Sequence, residues 1–182
     1  MWGLGRTRND QGQLSDIQDL RSSAAVSVNQ LGRRHITSEM IIRPIRVDDR
    51  ERWESLWHGY LDFYRAVLTP EVTERTWAAL CDPPSAVHGL VAELDDHLAG
   101  IAHLVLHPTT WATHPTCYLE DLYVAKPWRG GDVARRLIQA VYAFADGFGV
   151  DRVYWLTQAY NGPAHSLYDT VAHRTSFVVY ER

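Results

Sequence analysis

The chain has 182 residues, 46% of them hydrophobic, a formal net charge of −4 and a pI near 6.1. That length and composition suit one domain with a sizeable core, and the acidic balance removes any net attraction for nucleic acid while favouring a cationic or neutral substrate. Cys81 and Cys117 stand far apart and in no metal-ligand spacing, which argues against a disulfide framework and a zinc site, and no apolar run approaches the ~18 residues of a membrane span.

Residues 1–39 are rich in Gln, Ser, Asn, Asp and Arg and read as a flexible extension, with the folded domain expected over 40–182. The start carries no apolar leader with a small-residue cleavage site, so the expected compartment is the reducing cytoplasm, without a membrane partner. Residues 40–46 predict an opening strand. Asp48 or Asp49 would cap a helix to about Val67, with Trp53, Leu56, Trp57, Tyr60, Leu61 and Tyr64 on one face. Thr69 and Pro70 mark the cap and first position of a second helix ending near Cys81. Residues 87–94 and 98–106 predict two strands joined through Asp95-Asp96, followed by a loop over 108–115.

A strand over 118–124 carries the adjacent acids Glu120 and Asp121 and is broken by Ala125-Lys126-Pro127-Trp128. From Val133 the apolar positions Val133, Ala134, Leu137, Ile138, Val141 and Tyr142 recur at helical spacing until Gly147 and Gly149. A buried strand is expected over 152–156. Asn161-Gly162-Pro163 starts a helix bearing Leu167, Tyr168 and Val171, and a final strand is expected over 176–180. The order β-α-α-β-β-β-α-β-α-β implies an α/β or α+β fold, a mixed sheet flanked by helices in three layers.

Chemistry concentrates in 118–138. The turn Arg129-Gly130-Gly131-Asp132 leads into a helix whose first amides lack intrahelical partners and whose dipole favours an anion, which makes the turn a candidate phosphate site. A plain strand-to-helix turn is the alternative. His103 and His107 lack a nearby acidic third ligand at a known spacing, so packing or surface roles outweigh metal binding and no metal is expected.

With the Asn161 helix and the closing strand, this stretch resembles the GNAT superfamily of acetyl-CoA-dependent N-acetyltransferases over about residues 40–182. The family signature Arg/Gln-x-x-Gly-x-Gly/Ala is met by Arg129-Gly130-Gly131-Asp132-Val133-Ala134 at its first and last positions but not its fourth. Residues 118–124 resemble the strand before that loop in spermidine/spermine and thialysine acetyltransferases. Asn161-Gly162-Pro163 and Tyr168 resemble their Asn-x-Pro and tyrosine, and 153–155 and 175–180 are similar to the end of the small histone, polyamine and D-amino-acid acetyltransferases.

The resemblance implies acetyl-CoA as donor and a small amine as acceptor. A primary ammonium with a pKa near 10.4 must lose a proton before it attacks. Glu120 is the candidate base, through water, and Asp121 the anchor of a cationic amine, although adjacent strand residues face opposite ways. A solvated or salt-bridged pair of acids is the plainer reading. Tyr168 would protonate the departing CoA thiolate, against a simple packing role; Asn161 would cap its helix and also touch CoA. Backbone groups of Leu122, Tyr123 and Val124 would meet the pantetheine arm, and Arg129, Gly130, Gly131, Asp132, Val133, Ala134 and Arg135 the pyrophosphate. Trp57, Tyr60 and Tyr64 would shape acceptor specificity, and the aromatic surface with the resemblance implies a homodimer.

Asp132 departs from the family glycine. A positive φ there would strain an Asp, and its charge would repel phosphate, so weakened but real CoA binding is expected, offset by Arg129, Arg135 and Arg136. Two rivals follow: a protein-lysine or N-terminal acetyltransferase, and a degenerate acyl-CoA sensor motivated by Asp132.

Overall fold

The computed structural model describes residues 39–182; the extension expected over 1–39 lies, but for its last residue, outside them. Five strands form one sheet in the order β1 (Ile41–Pro44), β2 (Val87–Leu94), β3 (His97–His107), β4 (Thr116–Val124) and β5 (Val153–Tyr154). The first three pairings are antiparallel and β4 with β5 is parallel. The β2–β3 hairpin closes through Asp95 and Asp96, both at positive φ, in a two-residue turn that suits the right-handed twist of its strands.

Helices cover both faces. α1 (Arg50–Tyr64) and α2 (Pro70–Cys81) pack on one side, where Trp53, Leu56, Trp57 and Leu80 meet Val91, Ile101 and Tyr123. α3 (Val133–Gly147) covers the other, pressing Val133, Leu137, Ile138, Val141 and Ala145 against Ala92, Ala102, Leu104, Cys117 and Leu119. α4 (Gly162–Val171) brings Leu167, Tyr168 and Val171 to the edge of that second core. This is the expected three-layer mixed fold.

A buried ion network ties the start of the fold together. Arg43 holds Asp49 through two bonds of 2.7 and 2.8 Å and Glu93 at 2.6 Å; Arg52 reaches the same two acids at 2.6 and 3.1 Å. Asp49 is fully buried and also accepts the Arg46 amide at 2.8 Å. It occupies the cap position of α1 without a side-chain cap bond, because both carboxylate oxygens are engaged elsewhere.

Two expected strands are corrected. The strand over 152–156 shrinks to Val153–Tyr154, paired only with Cys117 and Tyr118, and it is half-buried. The strand over 176–180 does not form, and Phe177, Val178, Val179 and Tyr180 are exposed. The β propensity of Phe-Val-Val-Tyr is real, but a strand also needs a neighbour with a free edge in register, which sequence pattern does not report.

Candidate active site

β4 carries the acids, and a bulge decides how they face. His103 pairs with Asp121 and Leu104 with Leu119, leaving Glu120 as the extra residue of β4. Leu119 and Leu122, three apart, therefore both join the α3-side core, while Tyr123 joins the α1-side core. Strict alternation fails at the bulge, and the two acids have separate surroundings, Glu120 in a cleft with Leu119 and Leu122 and Asp121 against His103.

Each acid has a distinct setting. Asp121 accepts from His103 Nδ1 at 2.9 Å, and the Tyr60 hydroxyl also donates to it. His103 is buried, and its Nε2 accepts from Trp53 Nε1 at 2.9 Å. Burial raises the Tyr60 and Tyr64 hydroxyl pKa values, and the Asp121 charge adds to both. Glu120 has solvent contact, yet burial of its carboxyl and the neighbouring Asp121 charge push its pKa above the ordinary value.

Glu120 lines a cleft with Tyr60, Tyr64, Leu119, Leu122, Trp155, Leu156 and Tyr168. The cleft opens where β5, after pairing with Cys117 and Tyr118, leaves β4 without a neighbour on that edge. Backbone groups of residues 120–124 on that edge are thus free of a β5 ladder. Tyr168 packs edge-on against Trp155, ring centroids 5.3 Å apart, and burial pushes its pKa up to about 12. Trp57 is buried one ring behind, stacked on Tyr60 at 5.4 Å and donating to Thr73. A wider groove between α1 and α2, lined by Glu54, His58, Asp62 and Glu74 among others, contains none of the predicted groups.

Asn161 stands at the cap position of α4, but its side chain makes no cap bond and donates instead to Thr157 Oγ1 at 3.2 Å. Its backbone carbonyl accepts the first helical bond, from the His165 amide. At the turn before α3, Gly130 takes φ +79°, and a Cβ built there would meet nothing within 4 Å. Asp132 has φ −93° and sits at the cap position of α3, again without a side-chain cap bond. The strain expected at Asp132 is therefore absent, because the left-handed residue of the turn is Gly130. Among the described residues, no cluster of three His, Cys, Asp or Glu is positioned to hold a metal, and no helix is long and apolar enough to cross a membrane.

Comparison with known proteins settles the lineage. The acetyltransferase (GNAT) family profile matches residues 53–171. The chain belongs to the GNAT acetyltransferase family. It is 36% identical to the D-amino-acid N-acetyltransferase HPA3 of Saccharomyces cerevisiae over 157 residues, 85% of this chain and 97% of that protein. It is 33% identical to the thialysine N-epsilon-acetyltransferase of Caenorhabditis elegans over 86 residues, 47% and 53% of the two chains. Among solved structures, AAC(6')-Iy in complex with a bisubstrate analogue shares the fold at TM-score 0.71 and 19% identity, covering 80% of this chain and 98% of that one.

This GNAT protein is an N-acetyltransferase, and acetyl-CoA is its acyl donor. The turn fits the pyrophosphate of that donor. Gly130 leaves open space where a side chain would stand, a Cβ on Gly131 would meet only the Trp128 carbonyl at 3.8 Å, and the first amides of α3 have no intrahelical partner. Around the GNAT turn the expected cations divide their work. Arg135 reaches the Asp132 carboxylate at 3.4 Å. Arg129 turns back to the Val124 carbonyl at 2.8 Å and over the Phe63 and Tyr123 rings, and Arg136 donates to the Met40 carbonyl. His103 and Trp53 are the members of the acidic cluster that sequence reasoning did not assign; the cross-strand pairing of His103 with Asp121 depends on the bulge register.

Proposed function

We propose that this acetyltransferase passes an acetyl group directly from acetyl-CoA to the primary amine of a small cationic molecule: a polyamine, an amino acid, or an amine-bearing metabolite or antibiotic. The observation that carries this is the cleft that Glu120 lines with Tyr60, Tyr64 and Tyr168, with Asp121 next to Glu120 on β4 and its charge felt by the Glu120 carboxyl. The donor supplies the acetyl group as a thioester. Asp121 holds the acceptor ammonium, Glu120 takes its proton through water, and the Tyr168 hydroxyl gives a proton to the departing sulfur. A phenol with its pKa pushed up to about 12 keeps that proton over the working range. Trp57, Tyr60 and Tyr64 set the acceptor wall, Tyr60 and Tyr64 by direct lining and Trp57 from behind Tyr60. Leu122, Tyr123 and Val124 meet the pantetheine arm, residues 129–135 the pyrophosphate, and Asn161 the donor beside Thr157.

Transfer needs no acyl-enzyme in this reading. Burial pushes the Cys117 thiol up to about 11, and burial first of all raises Cys81, so neither is a ready thiolate. The similarity to a D-amino-acid N-acetyltransferase supports an amino acid as acceptor within the class. We place the enzyme in the cytoplasm and read it as a homodimer. The test is an acceptor panel of spermidine, D-lysine, an aminoglycoside and a lysine-containing peptide, with CoA release as readout. Turnover of a small cation over the peptide is expected; preference for the peptide would transfer the reading to a protein acetyltransferase.

A further inference from the structure

The three-member chain from α1 to β4 fixes a proton by elimination. An indole nitrogen only donates, so with Trp53 Nε1 at 2.9 Å from His103 Nε2 that ring nitrogen must be the acceptor. The proton of neutral His103 then sits on Nδ1 and points at Asp121 Oδ2, 2.9 Å away. Protonating His103 would set an Nε2 hydrogen against the indole hydrogen, two donors facing each other in a site where Trp53 is fully buried and His103 is 1% exposed. We propose that Trp53 is a positioning residue that locks His103 neutral with its proton on Nδ1, so that Asp121 presents an undiminished carboxylate to a cationic acceptor.

The alternative state shows what the lock prevents. A protonated His103 would pair with Asp121 as imidazolium and carboxylate and cancel the charge that binds the ammonium. The groups around His103 would otherwise favour that state: Asp121 and Glu120 from β4 are acids, Tyr60 from α1 is a neutral phenol bonded to Asp121, and the cross-strand neighbour on β2 is Gly89. Arg50 of α1 lies over the Trp53 ring at 5.3 Å and bonds Glu54 and Glu74. The indole donor is thus the group that directly opposes the imidazolium. The consequence for catalysis rests on Asp121 being the ammonium anchor; the tautomer does not.

Nitrogen-detected NMR of 15N-histidine-labelled full-length protein, with His103→Asn to assign the signal, reads the state directly and without acceptor. The expected wild-type result is a neutral ring protonated on Nδ1 throughout pH 8 to 5, whereas Trp53→Phe lets His103 become protonated within that range. A wild-type His103 that titrates there, or that carries its proton on Nε2, overturns the proposal even if Trp53→Phe does not fold; a folded Trp53→Phe whose His103 stays neutral also overturns it. With D-lysine as acceptor, the ratio of variant to wild-type KM should rise about tenfold from pH 8 to pH 6, with the acetyl-CoA KM unchanged. Loss of that rise in Trp53→Phe/His103→Asn would confirm its origin. A locked tautomer with a flat ratio would overturn the catalytic consequence alone, and with it the role of Asp121 as anchor.

Discussion

At the scale of the residue, the reading turns on carboxylates whose charge is controlled by their neighbours. Glu120 has a pKa raised by burial and by Asp121. A base must be ionised to act, so the acid limb of kcat/KM should lie above the ordinary carboxylate value near 4.3. Asp121→Asn should move that limb to lower pH, and Glu120→Gln should abolish it with a loss of about 10²- to 10⁴-fold in rate; an unchanged limb in Glu120→Gln would assign the base elsewhere. Asp132 takes the opposite course. With right-handed backbone, a side chain 61% exposed and Arg135 beside it, it has little reason to obstruct phosphate. Calorimetric titration should find that Asp132→Gly tightens acetyl-CoA by less than about tenfold, in line with roughly 1 kcal/mol for an exposed like-charge contact near 4 Å. The candidate residues stood out in the sequence because their types are unusual: paired acids on an apolar strand, a double glycine, an Asn-x-Pro. Asp132 read as an irregularity because the sequence does not say which residue of the turn takes positive φ, and Gly130 takes it.

At the scale of the element, helices and the central hairpin were legible because apolar period and turn chemistry act locally. α2 begins at Pro70 and ends at Cys81, and β2 spans Val87–Leu94, as their caps and turn residues imply. The bulge in β4 was not legible, since it is a property of two strands in register and not of either alone. The short β5 and the unformed strand over 176–180 failed for the same reason: edge partners decide them. The join of β1, β2 and α1 offers a separate test. Burial alone would raise the pKa of Asp49, but the bonds from Arg43 and the Arg46 amide outweigh it and hold the pKa below its usual value. A depressed carboxylate pKa contributes stability that is present above the unfolded value near 3.9 and lost as pH falls through the folded value. Denaturant unfolding should therefore show stability declining below about pH 4. Asp49→Asn, which strands Arg43 in a buried site, should cost about 3–5 kcal/mol at pH 7 and flatten that acid decline.

At the scale of the whole molecule, the exposed apolar residues are unevenly distributed. Phe177, Val178, Val179 and Tyr180 form a contiguous exposed run at the end of the chain. A second copy is the occupant the dimer reading assigns to that run. Light scattering should give a dimer mass for the full chain and a monomer mass after removal of residues 176–182; a monomeric full chain would refute the dimer without touching the chemistry. The proposed chemistry rests on one arrangement, Glu120 in a cleft with Tyr60, Tyr64 and Tyr168 and Asp121 beside it on β4. Its most direct test is the steady-state kinetics of Asp121→Asn with the best cationic acceptor of the panel. A charged hydrogen bond contributes about 1.5–3 kcal/mol, so kcat/KM for the acceptor should fall roughly 10- to 150-fold while the KM for acetyl-CoA holds. An unchanged acceptor kcat/KM would contradict the account.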